Sequence, residues 1–331
     1  MSACFRCVCL GLWLWGTLLA QTPDLFDSQA LLEVELHVDL LALQADRGKE
    51  VDYHPARLSY RDASGATVPI ATEVRARGHF RRQPQICAFP PLKLKTSRPA
   101  RQGTLLEPHD ELKLVCHCQG DLYVIREYLL YRAYDILSDR CLRVRPARIT
   151  YRDLRGAVPA ETHFAFFLEH QDVADDRLNA SQLEDQRLKP RQIDPDNLVL
   201  VSLFSYLIGN SDWDVLLEKN LRIFQIPGKP DPILLPYDFD WSGAVGAHYT
   251  GLGEDYPYRK LKGPYADATR YRRWLNHLLA RQEMILDLYR NCEWFSSRRE
   301  RKESMAFIEA SFERMRSPAF WAEVEAMLAR R

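Results

Sequence analysis

The chain has 331 residues, enough for one large core or two modest ones. Its apolar fraction of 46% with 27% charged residues is that of an ordinary globular protein and excludes a disordered or fibrous chain. Lys plus Arg and Asp plus Glu both number 45, so no net field favours nucleic acid or an anionic membrane as partner.

Arg6 followed by the apolar run 7–20 reads as a signal peptide, with Ala20-Gln21 as the cleavage point. The run is shorter than the ~20 apolar residues a bilayer span needs. No later segment is long and uncharged enough to cross. The expectation is an exported protein, periplasmic or extracellular, with no transmembrane span after the signal; an uncleaved anchor is the alternative. Cys4, Cys7 and Cys9 leave with that segment. Cys87, Cys116, Cys118, Cys141 and Cys292 remain, an odd number, so at least one thiol is free or pairs between molecules. An oxidising compartment permits a disulfide, and Cys87 with Cys116 or Cys118 is the preferred pair. Cys116-His117-Cys118 has the composition of a metal site, but adjacent strand residues face opposite ways and no second ligand pair follows at zinc spacing. His117, His163, His170 and His248 read as core or surface histidines.

Residues 31–41 and 56–61 alternate apolar and polar as strands do, and 62–65 make a turn into a returning strand at 68–77. Short strands are expected at 90–95 and 111–115. The period turns helical over 121–137, where Val124, Tyr128, Tyr131 and Ile136 fall close to one stripe. Strands return at 143–151 and 163–168. Residues 172–195 are polar and marked by proline, as a surface connection would be. Residues 198–208 are apolar enough to form a buried helix. Short strands at 221–224 and 233–235 flank a Pro-Gly-Lys-Pro turn, and helices fill 270–289, 300–315 and 319–329. The division that follows is a signal peptide at 1–20, a sheet-rich lobe at 21–170 and a helical lobe at 171–331.

Chemistry concentrates in Gly209-Asn210-Ser211-Asp212-Trp213-Asp214, in Lys219-Asn220, and in Pro236-Tyr237-Asp238-Phe239-Asp240. Phosphoryl transfer needs positioning and charge stabilisation: one Asp orients the attacking hydroxyl, while an Asn and a later Asp hold the metal on the phosphates. Asp212 on a loop after a buried helix, with Asn220 and Asp238 at adjacent strand ends, has that order. Hard oxygen ligands of this kind suit Mg²⁺ or Mn²⁺. Asp and Asn are also the usual turn residues.

These motifs resemble those of the CotH-like spore-coat kinases, a family of atypical kinases. Arg77-Gly78 followed by Phe89-Pro90-Pro91-Leu92-Lys93-Leu94-Lys95 is similar to that family's Arg-Gly element and basic strand, and Phe166-Phe167-Leu168-Glu169 to the strand entering its hinge. The resemblance covers about residues 30–245. It implies an α+β, two-lobed, protein-kinase-like fold, with an antiparallel-sheet N-lobe carrying one helix and a mainly helical C-lobe. It implies ATP or another nucleotide as donor, Mg or Mn as metal, and a protein or small envelope molecule as acceptor. Asp212 would be the catalytic Asp, and Asn220 and Asp238 the metal ligands. Two departures open alternatives. Asp212 lies eight positions before Asn220, so Asp214 is a rival base, and Asp240, in place of the glycine after Asp238-Phe239, would be a further metal ligand. No G-x-G-x-x-G loop exists; Gly78 with His79, Arg81 and Arg82 would cover the phosphates in its place. Lys113, before the helix, or Lys93 would bind phosphate, Glu127 on the helix would be the lysine's partner, and Glu169 would lie at the nucleotide edge. The competing functions are a non-catalytic envelope scaffold and a nucleotidyl transferase.

Overall fold

The structure, a computed structural model, describes residues 23–250, 259–263 and 265–329. The segment read as a signal peptide lies outside them. Strand β1 (Leu32–Val38) leads through the short helix α1 (Leu40–Ala45) to β2 (His54–Arg61) and β3 (Thr67–Ala76). A long loop reaches β4 (Leu92–Lys95). The short helix α2 (Arg98–Arg101) and β5 (Glu111–Val115) follow, then helix α3 (Asp121–Leu137) and the pair β6 (Val144–Asp153) and β7 (Glu161–Leu168). These seven strands close on themselves in the order β1-β2-β3-β4-β5-β7-β6.

The two-lobed kinase-like arrangement with an antiparallel-sheet N-lobe is therefore corrected. The first-half sheet is a closed, mixed barrel, because β6 runs parallel to β1 from Leu32 opposite Ala147 to Val38 opposite Asp153. Alternation within a strand reports which residues face a core. It does not report which distant strand completes the sheet, and closure depends on that. Inside the barrel, Leu36, Leu58, Ile70, Leu92, Leu114, Ile149 and Phe167 pack with almost no exposure.

Beyond β7 the segment expected to be a plain connection holds α4 (Gln171–Leu178) and β8 (Ser181–Leu183). Helix α5 (Pro195–Ile208) is buried on nearly every face, as its largely apolar sequence requires. Strands β9 (Leu221–Gln225) and β10 (Ile233–Pro236) complete a three-stranded sheet with β8. Helices α6 (Ala268–Leu279), α7 (Gln282–Arg290), α8 (Arg298–Arg316) and α9 (Pro318–Leu328) end the chain, so the single helix expected at 270–289 is two, broken at Ala280-Arg281. A second core cluster joins α3, α5 and these helices to the outer face of β7 through Phe164, Phe166 and Leu168. No helix among the described residues is long and apolar enough to cross a membrane.

Candidate functional site

The end of α5 builds the site. Asp194 caps its start by accepting from the Asp196 and Asn197 amides, with Pro195 in the first turn. Gly209 ends it at φ 65°, the left-handed conformation that glycine adopts without strain. The carbonyls freed by that ending are taken by another segment: the Gly243 amide donates to Gly209 O at 3.0 Å and the Ala244 amide to Ile208 O at 3.0 Å. The segment after Asp240 is thereby pinned beside the loop that carries Asp212. Asn210 Oδ1 accepts the Asp212 amide at 2.8 Å and sets that loop's direction.

Antiparallel pairing of β9 with β10 sets Leu221 opposite Pro236, so Asn220 and Tyr237 meet at one end, where the Tyr237 amide donates to Asn220 O at 3.1 Å. Both Asn220 (φ 54°) and Asp238 (φ 59°) are left-handed without being glycine, a conformation Asn and Asp tolerate best and one that recurs at functional sites. Asp212, Asn220, Asp238 and Asp240 line one cavity of about 120 Å³ with Arg77, Gly78, His79, Phe80, Arg81, Pro91 and Trp241. That volume suits an ion and a phosphate group, with the rest of a nucleotide lying outside it. The Asn220 amide nitrogen donates to Asp212 O at 2.6 Å and to Asp212 Oδ2 at 3.0 Å. Its carboxamide oxygen remains as an acceptor. Asp212 Oδ1 pairs with Lys219. The donor set is all hard oxygen, so these residues fit Mg²⁺ or Mn²⁺.

Arg81 occupies the acid side of the cavity. Its guanidinium contacts Asp238 Oδ1 at 2.9 Å, Asp240 Oδ2 at 3.2 Å and Glu127 Oε2 at 3.6 Å. The Tyr249 hydroxyl also donates to Asp240 Oδ2, at 2.8 Å. Burial pushes the Glu127 and Asp240 carboxyls up, and Arg81 opposes the shift in both. The lysine expected opposite Glu127 is thus replaced by an arginine from the β3–β4 loop.

Basic residues gather on the other side of Asp238. Register places Arg75 opposite Lys93 and Lys93 opposite Lys113, three cations in a row across neighbouring strands. Like charges set opposite one another are unfavourable. Lys93 is paired with Glu111. Among the described residues Arg77, Lys113 and Arg222 form no ion pair, and the Tyr237 ring lies between two of them, 5.5 Å from Lys113 Nζ and 4.5 Å from the Arg222 guanidinium. Burial pulls the Lys113 amine down to about 8, helped by Arg77 and Arg222 and opposed by Asp238.

No protein-family model matches the chain, and no curated protein matches it. Among solved structures it is similar to the crystal structure of a Helicobacter pylori proinflammatory kinase, CtkA. The identity is 7% and the TM-score 0.37, over 68% of this chain and 88% of that one. A kinase is thus a weak structural neighbour, and no family is assigned by it.

The remaining candidates lie elsewhere. Asp214 accepts from the Leu217 amide at 2.9 Å and borders a separate cavity with Lys262, Tyr265 and Met327. Glu169 is fully buried between Arg143 (2.8 Å) and Arg177 (2.7 Å), which take both its oxygens. Cys87 and Cys118 form a disulfide, leaving Cys116, Cys141 and Cys292 as buried thiols. His117, Glu161 and His163 bring donor atoms within 4.8 Å of one another. The two rings stack face to face at 3.5 Å and 13°, so their in-plane lone pairs run side by side instead of converging on an ion. The sequence does not mark Arg77 and Arg222 as neighbours of Lys113. No local pattern marks either residue as such: Arg77 follows β3 and Arg222 lies on β9, and only the fold brings them near Lys113.

Proposed function

We propose that this chain is a metal-dependent phosphotransferase that passes the terminal phosphoryl group of a nucleotide such as ATP to a hydroxyl. The observation that carries the reading is the uncompensated cation group, Arg77, Lys113 and Arg222, set directly beside Asp238 and the cavity of Asn220 and Asp212. Cations held close together repel one another, an anion bound among them relieves that repulsion, and a polyphosphate is the anion that also needs the oxygen ligands next door. Asn220 and Asp238 would hold Mg²⁺ or Mn²⁺, which neutralises charge on the phosphates. Asp212 faces the same cavity and would accept the hydroxyl proton, its carboxylate held in place by Lys219 and Asn220.

The acceptor proposed is a protein or small molecule of the cell envelope. The apolar run at 7–20 and the Cys87–Cys118 disulfide support an exported chain, since disulfides persist in oxidising compartments. The test is incubation of the full chain and Mn²⁺ with ATP labelled at the γ or the α phosphate, using extracted envelope material as acceptor. Transfer of γ label, lost in Asp212→Asn, is expected. Transfer of α label alone would make the chain a nucleotidyl transferase, and no transfer together with no nucleotide binding would leave a scaffold.

A further inference from the structure

We infer that Arg81 is a built-in cation standing where a second divalent ion would otherwise sit, so that this cleft takes one metal ion and not two. The inference rests on the phosphotransfer reading above and adds the metal count to it. Protein kinases hold two Mg²⁺ between a loop Asn and a following Asp. Here the carboxylates around the cavity are divided differently. Asp238 Oδ1 and Asp240 Oδ2 both contact one guanidinium, at 2.9 and 3.2 Å, and the third contact is Glu127 Oε2 at 3.6 Å. Only one oxygen of Asp238 is in that ion pair, so the other would be left to hold an ion together with Asn220. Asp240 Oδ2 is engaged twice, by Arg81 and by the Tyr249 hydroxyl.

Arg81 is not a temporary occupant that an ion would displace. Its side chain is 10% exposed and Glu127 beside it is 3% exposed, with Glu127 Oε1 lacking any hydrogen-bond partner. Withdrawal of the guanidinium would strand buried acids without a counter-charge, the most unfavourable way to break a buried ion pair. The loop that carries it is also tied down, because Cys87 is bonded to Cys118 in the turn between β5 and α3. An arginine keeps its proton under all conditions a protein survives, so the charge it supplies is constant.

The experiment is a count of Mn²⁺ bound to the full chain, by electron paramagnetic resonance of the free ion during titration with MnCl₂ alone and again with ATP present. Wild type should bind one ion. Arg81→Met should bind two, and Arg81→Lys should return the count to one. Two ions on wild type, or one on Arg81→Met, overturns the inference while leaving metal-dependent transfer intact. No ion on either protein removes the metal reading of the site and this inference with it. The wild-type count decides by itself if Arg81→Met does not fold.

Discussion

Asp212 and Asp238 share a cavity but serve it differently, and their removal should separate binding from turnover. Asp238 pairs with Arg81 and in the proposed function also holds the metal, so Asp238→Ala should abolish metal-dependent nucleotide binding. The readout is thermal: nucleotide at ~100 Kd should stabilise wild type by ~2.7 kcal/mol and leave this variant unmoved. Asp212→Asn keeps the shape and the Asn210 contact, so binding should persist while turnover falls about 10²–10⁴-fold, the usual worth of a positioned base. Equal loss of binding in both would place Asp212 among the ligands. Lys113 gives a pH test. Its folded value of about 8 lies below its ordinary 10.5, so the empty protein sheds this proton early. A bound polyphosphate favours the charged form, hence nucleotide binding near pH 8 should take up a proton and weaken as pH rises further. Calorimetry in buffers of different ionisation enthalpy measures the uptake, and Lys113→Met should erase it. The sign for stability follows from the same shift. Above 10.5 the amine is neutral in both states. As pH falls toward 8 the unfolded chain gains the proton first, so this residue's contribution to stability is lost over that window.

The elements differ in how openly their sequences announce them. Helix α5 was legible because Asp194-Pro195, a largely apolar run and Gly209 mark its start, its burial and its end. The placement of Asn220 and Asp238 at neighbouring strand ends followed from two short apolar runs around a Pro-Gly turn. The β3–β4 loop was not legible. Nothing local says that Arg81 turns inward to Glu127 while Arg82 contributes its guanidinium to Lys49 O at 3.2 Å on the surface. That choice is made by the acids it meets, which come from α3 and from the segment after β10. The disulfide holds this loop across 31 residues of sequence. Chain-entropy arguments give such a closure about 3–4 kcal/mol. Cys87→Ala with Cys118→Ala should therefore lower unfolding stability by about that amount in denaturant. It should also weaken nucleotide binding, because the loop carrying Arg77 to Arg81 loses its anchor. Unchanged binding would mean that the ion pairs alone position the loop.

At the scale of the whole chain, the strands were readable one at a time and the barrel was not. Each strand's alternation reported an inner face, but the parallel join of β6 to β1 links residues more than a hundred positions apart, beyond any local pattern. A polar stretch near residue 170 suggested two lobes, whereas packing runs across it. Strand β7 turns Ala165 and Phe167 into the barrel, and Phe164, Phe166 and Leu168 into the cluster formed with α3 and α5. One strand thus forms a wall of both cores. Losing either core strips one face of β7 and exposes the other, so the two should unfold together. Leu36→Ala in the barrel and Leu203→Ala in α5 each empty a fully buried position, at a cost of about 2–5 kcal/mol. Both should lower the midpoint of a single calorimetric transition whose van't Hoff and calorimetric enthalpies agree. Two resolved transitions, with each substitution moving only its own, would show instead that the cores fold as independent units joined by a shared strand.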